Sequence, residues 1–251
     1  KFANNKLTSR FVYKMVGYKV IKTFGGRLRF FGVGGSKLDP EVEAFLDKIN
    51  FPYALGYGLT ETSPFIAGCG PKDHVVGTLG VPIDGLDVRI APDDGEIQLK
   101  GPSIMKGYYK MPELTKETFT EDGYLRTGDL GAFENGRLVI KGRSKSMILG
   151  SGGENIYPDN IESLINAQDF VVESLVIPED RSLTAMVRLD IKALHRTFKD
   201  IDIQDFLEKI RLEVNQKLAS FSRIHRIKLQ ETPFERTPTE KIKRYLYTKA
   251  M

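Results

Sequence analysis

Residues 57–64 read Tyr-Gly-Leu-Thr-Glu-Thr-Ser-Pro. Thr60, Thr62 and Ser63 offer hydroxyls, and Glu61 offers a hard carboxylate oxygen. Magnesium with phosphate takes this mixture, because the ion prefers one or two carboxylates together with phosphate oxygens. Tyr57 adds a ring able to stack on a base. The other reading is a loop whose Thr and Ser cap a turn, and these eight residues alone leave both open.

Further stretches carry the same ambiguity. Phe31-Gly-Val-Gly-Gly-Ser36 follows a strand-like run, but a dinucleotide loop would need glycine where Lys37 stands, and no acidic partner is evident. Gly34 and Gly35 still permit a tight turn with close backbone approach to a flat ligand. Asp129, in Tyr124-Leu-Arg-Thr-Gly-Asp129, reads locally as a turn residue. Arg143 and Lys145, in Gly142-Arg-Ser-Lys145, read on charge alone as a solvated linker. Ser151-Gly-Gly-Glu-Asn-Ile-Tyr-Pro158 suits a flexible connection or a backbone surface for a ligand. Thr237-Pro-Thr-Glu-Lys-Ile-Lys-Arg244 is a basic tail, or a proline-held turn that presents a lysine to an anion.

The elements that must position these residues change texture along the chain. Leu7–Lys22 has Phe11, Val12, Met15 and Val16 on one helical stripe, ended by Gly25-Gly26. Arg27–Val33 and Phe51–Tyr57 read as strands on either side of a helix capped by Asp39 or Ser36, with Pro40 in its first turn. That β-α-β order implies a parallel sheet. From about Val75, short apolar runs such as Val88–Ile90, Glu96–Leu99 and Leu138–Ile140 alternate with turn signals, among them Asp93-Asp94-Gly95 and Asn135-Gly136. These predict antiparallel hairpins in a small barrel or sandwich. After Arg143 a separate α+β domain is expected. Its helices are Pro158–Ala167 and a stripe of Ile203, Phe206, Leu207, Ile210, Val214 and Leu218. Its strands are Ser174–Ile177, Thr184–Leu189 and Arg223–Leu229.

The composition bounds the function classes. Of 251 residues, 41% are hydrophobic and 28% charged, and 37 basic against 33 acidic residues give a net charge of +4. The charges are interspersed, with no basic tract of the kind that dominates nucleic-acid binding. The single cysteine, Cys69, precludes an intrachain disulfide and fits a reducing cytosol. No apolar run approaches the roughly 18 residues that span a bilayer, and no signal peptide is visible. The start at Lys1, almost directly before a helix, suggests a piece of a longer protein.

The order of the motifs carries a resemblance. They are Gly34-Gly35-Ser36, Tyr57-Gly-Leu-Thr-Glu61, Gly95-Glu96 through Gly107-Tyr108-Tyr109, Thr127-Gly-Asp129, Gly142-Arg143-Ser-Lys145, Gly153-Glu-Asn-Ile-Tyr-Pro158 and Pro238-Thr-Glu-Lys241-Ile-Lys-Arg244. Together they resemble, over nearly the whole chain, the adenylate-forming superfamily: acyl-CoA synthetases, luciferases and the adenylation domains of peptide synthetases. Gly-Glu-Asn-Ile-Tyr-Pro and Thr-Pro-Thr-Glu-Lys-Ile-Lys-Arg look most like long-chain fatty acid–CoA ligases. Most other branches have glycine directly before the terminal lysine, where this chain has Glu240.

The resemblance implies a two-domain chain, α/β followed by α+β. Residues 1–142 would be the C-terminal part of the AMP-binding domain, with a β-α-β piece over 1–74 and a barrel-like piece over 75–142. Residues 143–251 would be a mobile lid with its hinge near Lys145. It implies ATP-dependent activation of a fatty carboxylate to acyl-AMP, then transfer to CoA, with Mg²⁺ as cofactor and no nucleic-acid partner. The backbone of Gly34, Gly35 and Ser36, with Tyr57, would hold adenine, and Gly58 would belong to the same nucleotide site. Thr60 would contact phosphate and Glu61 would bind Mg²⁺. Asp129 and Arg143 would bind the ribose. Lys241 would bridge the acyl carboxylate and phosphoryl oxygens during adenylation. Gly152, Gly153 and Glu154 would help form the thioester-state site for CoA. A cytoplasmic location, with peripheral contact at the inner face of a membrane, would follow. The family's upstream phosphate loop is not among these residues. The expectation is therefore that the chain alone has little or no ligase activity, and that an exposed strand edge is open to self-association. A ligase for a short-chain or aromatic acid, a non-catalytic nucleotide-binding module, and a subunit of a split enzyme are the alternatives.

Overall fold

A computed structural model describes residues 6–150, 152–180, 182–238 and 240–248, in two units, Lys1–Ser144 and Lys145–Met251. In the first unit, α1 (Lys6–Thr23) closes at Gly25 and Gly26, with φ of +84° and +74° that suit glycine. The face it turns to the core differs from the expected stripe. Tyr13, Val16, Val20 and Ile21 pack inward, while Phe11, Val12 and Met15 are exposed. Gly17 sets this face: a Cβ there would lie 2.2 Å from the Ile49 carbonyl oxygen, so only glycine lets α1 approach this closely.

β1 (Phe31–Gly34) is shorter than the expected Arg27–Val33 and pairs in parallel with β2 (Tyr53–Tyr57). Pro52 precedes β2 and has no N–H to carry the ladder further back. Between them lies α2 (Pro40–Lys48), whose cap is Asp39, accepting from the N–H groups of Glu41 and Val42 at 2.8 and 3.1 Å. β3 (Ala67–Gly68) and β4 (Val81–Pro82) complete a sheet of order β1-β2-β3-β4, so the β-α-β expectation holds and β1 is an edge.

The hairpins that follow form a four-stranded antiparallel meander: β5 (Asp87–Ile90), β6 (Glu96–Lys100), β7 (Leu125–Glu134) and β8 (Arg137–Arg143). Asn135 and Gly136, at φ +50° and +76°, make the two-residue turn between β7 and β8. A helix the sequence reading did not anticipate, α3 (Pro112–Thr118), lies between β6 and β7. The outer edge of β8 is joined to the chain before β4, where the N–H of Leu79 donates to the Leu138 carbonyl at 2.8 Å. One core of Ile97, Leu99, Leu125 and Leu138 with Tyr57, Ile66 and Ala67 therefore spans both sheets.

The second unit opens with a hairpin of β9 (Ile148–Leu149) and β10 (Asn155–Ile156). It continues through α4 (Pro158–Asn166), β11 (Val171–Glu179), β12 (Ser182–Leu189), α5 (Ile191–Thr197), α6 (Ile203–Asn215) and β13 (Ile224–Leu229). Its sheet has the order β11-β12-β13. The expected α6 stripe packs with Ile161 and Ile165 of α4 on Val176, Leu183, Ala185 and Val187. The opposite face carries a smaller cluster of Leu175, Ile177 and Phe234, with Ile242 and Tyr247 over it.

Candidate nucleotide and acyl-transfer site

In the first unit the centre is Asp129, 3% exposed on β7. The Tyr57 hydroxyl, at the end of β2, donates to its Oδ2 at 2.8 Å, and Arg143 Nε, directly opposite in register on β8, lies 3.1 Å from Oδ1. Burial first, and then the Asp129 charge, push the Tyr57 phenol above its ordinary value, so at neutral pH it is a donor. Asp129 was read locally as a turn residue. It lies instead within a long strand, at an irregularity in the pairing of β6 with β7 made possible by Gly128, whose φ is +69°. That kink is fastened from behind. The Gly128 N–H donates to the buried Glu96 carboxylate at 2.8 Å, Thr127 Oγ1 donates to the Ile97 carbonyl at 2.7 Å, and the Asp129 N–H donates to Thr127 Oγ1 at 3.1 Å.

The chain leaves β2 through Gly58, where a Cβ would sit 1.5 Å from the Pro64 carbonyl oxygen. This closure folds 58–64 into a tight loop over one short turn, Thr60–Thr62. Thr62 is buried, and its hydroxyl donates to the Leu59 carbonyl at 2.9 Å, so it is the turn's own cap. Ser63, in the left-handed region at φ +59°, donates to the Ser103 carbonyl at 2.9 Å. Thr60 faces solvent, and Glu61 Oε1 accepts from the Tyr108 hydroxyl at 2.9 Å. The opening ambiguity is thus divided: Thr62 and Ser63 serve the loop, while the Thr60 side chain is exposed and the Glu61 carboxylate is held by Tyr108 from outside it. Gly34, Gly35 and Ser36 are exposed at the carboxyl end of β1, the side on which parallel sheets bind ligands.

The second unit holds the remaining motif residues. Lys145 is exposed at its first position. In the turn between β9 and β10, the Gly152 N–H donates to Glu154 Oε2 at 3.1 Å and Gly153 has φ +86°; Ser151 lies outside the described residues. Lys241 is exposed on a narrow loop in which the Thr237 N–H donates to the Lys241 carbonyl at 2.8 Å. Glu240 takes φ +62°, the conformation that glycine adopts most readily. Arg244, read on composition as part of a basic tail, is folded in and forks onto Glu162 at 2.7 and 2.5 Å. Glu96 and Tyr108 stand in a quoted motif with no role given to them, and sequence reasoning missed Glu162 and Glu173 as supporting groups. A carboxylate among apolar residues, as at Glu162 before Leu164 and Ile165, is the one local signal that those two gave.

A model of the AMP-binding enzyme family matches residues 6–109, and one of the AMP-binding enzyme C-terminal domain matches residues 145–250. The chain belongs to the AMP-binding enzyme family. Relatives of this family member include the peroxisomal long chain acyl-CoA synthetase 7 of Arabidopsis thaliana, 37% identical over 74% of this chain and 29% of the relative. The long-chain-fatty-acid–CoA ligase FadD15 of Mycobacterium bovis is 31% identical over 96% of this chain and 43% of the relative. A crystal structure of ATP-bound MatB from Rhodopseudomonas palustris aligns with a TM-score of 0.74 at 28% identity, covering 95% of this chain and 49% of that one. The chain thus spans less than half the length of the curated relatives it matches. Among its described residues, no helix is long and apolar enough to cross a membrane.

Proposed function

We propose that the protein carrying this chain activates a long-chain fatty acid with ATP and transfers the acyl group from AMP to CoA. The observation that carries the reading is Asp129, a buried carboxylate held on one side by Tyr57 and on the other by Arg143. A ribose diol is met by such a group, because a fixed ionised acceptor binds hydroxyls without reorganising. The Tyr57 ring is buried, so its part is to fix Asp129, and adenine is left to the Gly34–Ser36 backbone and Gly58. Similarity to the two named long-chain ligases supports the substrate class.

Thr60 meets phosphate oxygens. Among the described residues no group of three His, Cys, Asp or Glu side chains forms a metal cage. A Mg²⁺ ion held by Glu61 and by the nucleotide's own phosphates fits that donor set, and when bound it offsets the charge of the phosphates. Tyr108 orients the Glu61 carboxylate for this task. The fatty carboxylate is already an anion and needs no general base to attack the α-phosphate. Lys241 supplies positive charge where the acyl carboxylate and phosphoryl oxygens meet, with pyrophosphate as the leaving group. Lys145 is the hinge, and Gly152–Glu154 belong to the thioester-forming state in which the CoA thiol displaces AMP.

The deciding experiment is acid-dependent ATP–pyrophosphate exchange by the protein carrying this chain, across acids from two to eighteen carbons. Exchange that peaks at long chains is expected. A maximum with short-chain or aromatic acids would replace the substrate class, and binding of nucleotide with no exchange for any acid would replace the enzymatic reading. The 251 residues alone are expected to exchange slowly or not at all, since the matched relatives are more than twice as long.

A further inference from the structure

Lys241 lies between two arginines, Arg236 and Arg244, and each is anchored on a different buried carboxylate of the second unit. Before the loop, Arg236 Nη2 is bonded to Glu173 on β11, and its Nη1 donates to the Glu240 carbonyl at 2.6 Å. Glu173 also accepts from Arg188 Nε at 2.6 Å, so it is fixed from β12 as well. Burial alone would raise the Glu173 carboxyl, yet the two arginines hold it below the ordinary range. After the loop, Arg244 Nη1 and Nη2 meet the two oxygens of Glu162 at 2.7 and 2.5 Å, and Nη2 also reaches Asp159 at 2.7 Å. Glu162 Oε1 accepts in addition from the Val176 N–H at 2.7 Å. Val176 lies on β11, an edge of the sheet, so this carboxylate serves a backbone donor that no adjoining strand takes.

Between these anchors the chain is narrow. Arg236 and Ile242 pair as an antiparallel bridge, and the Lys241 N–H donates to Thr237 Oγ1 at 3.2 Å. Ile242 packs on the cluster of Leu175, Ile177 and Phe234, and the side chain one residue before it points out to solvent. A lysine on a free tail carries large rotamer and backbone freedom, which is lost when it meets a transition state. A single charge-assisted contact before the loop and a forked one after it remove the backbone share of that loss in advance.

We propose that Arg244, through Glu162 and Asp159, and Arg236, through Glu173, are positioning residues that clamp the Lys241 loop to the second unit and so preset the lysine for adenylation. The proposal rests on the reading of Lys241 as the adenylation lysine. Neither arginine touches substrate in it. Apolar packing by Ile242 and Tyr247 holds the segment on the sheet, and the arginines fix the register of the loop that projects from it.

The test combines hydrogen exchange on the chain itself with kinetics on the protein that carries it. In Arg244→Ala, exchange at the amides of Thr237, Glu240 and Lys243 should quicken by at least about tenfold, while the β12 amides keep their protection. Adenylation kcat should fall on the order of 10–10²-fold with the ATP KM unchanged, because misplacement weakens the transition state alone. Thioester formation from supplied acyl-AMP should stay intact. In a Lys241→Ala background, adding Arg244→Ala should change adenylation less than about twofold, as expected of residues acting as one unit. Arg244→Lys, which keeps the charge and loses the fork, should lie between wild type and Arg244→Ala, and it replaces the alanine variant if β12 protection is lost. Unchanged loop exchange, or an effect that multiplies with Lys241→Ala, would overturn the clamp. If Lys241→Ala alone left adenylation intact, the reading of Lys241 would fall, and with it the kinetic purpose of the clamp, while the exchange data would still decide whether the arginines hold the loop.

Discussion

Replacing Tyr57 by phenylalanine removes one oxygen and leaves the ring in its core beside Ile66 and Ile97. Asp129, 3% exposed, then loses the donor 2.8 Å from Oδ2 and keeps Arg143 Nε at 3.1 Å from Oδ1. A hydrogen bond to a charged group contributes about 1.5–3 kcal/mol, and the phenylalanine ring offers the stranded oxygen nothing in return. The first unit should therefore lose about 1.5–3 kcal/mol, a rise of roughly 10–150-fold in its unfolding constant. Urea titration should be read by hydrogen exchange at β2 and β7, because the two units need not unfold together. A cycle with Asp129→Ala isolates the pair, and its coupling should exceed about 1 kcal/mol. AMP affinity should fall in both single variants. The alkaline limb gives an independent check. The phenol is raised in the folded state, chiefly by burial, so its contribution is complete below the unfolded value of about 10 and is lost as pH rises beyond it. Tyr57→Phe should make that alkaline decline shallower, with the remainder shared by Tyr53, Tyr108 and Tyr124, which are raised in the same direction. A coupling below about 0.5 kcal/mol, the range within which independent sites add, would refute the view that Tyr57 and Asp129 act together.

Lys241→Ala in the protein carrying this chain should reduce adenylation by about 10²–10³-fold and leave CoA transfer from supplied acyl-AMP nearly intact; equal loss in both half-reactions would remove the assignment. Glu61→Gln should lower pyrophosphate exchange by a similar factor and weaken its dependence on Mg²⁺ concentration, whereas Tyr108→Phe, which only orients Glu61 at 2.9 Å, should cost about tenfold or less. Glu240→Gly replaces a side chain held at φ +62°; relief of about 1–2 kcal/mol, less about 0.4–1 kcal/mol of added unfolded-state freedom, should leave the second unit stabilised by about 0–1.6 kcal/mol in thermal unfolding. A clear loss of stability there would show that the left-handed turn carries no strain.

What the sequence made legible is what neighbouring residues decide. Asp39 and Pro40 start α2 by local capping, Asn135-Gly136 turns β7 into β8 by its own conformational preference, and the α6 stripe follows helical period. The face of α1 was misread because it depends on the meeting of Gly17 with the Ile49 carbonyl, and nothing near Gly17 announces that partner. The candidate site falls mostly on this second side. Asp129 looked like a turn, Arg143 like a linker and Arg244 like a tail, and each reading was reasonable for an isolated polar residue. Their partners are remote: Tyr57 is 72 positions from Asp129, and Glu162 is 82 from Arg244. A buried carboxylate is tolerated only when donors reach it, and long-range pairing leaves no local period to detect. The motif order brings Tyr57, Asp129 and Arg143 into one reading, but it contains Arg244 without its partner Glu162. The clamp around Lys241 stayed hidden because its acceptors, Glu162 and Glu173, lie in a helix and a strand whose apolar neighbours alone explain their secondary structure.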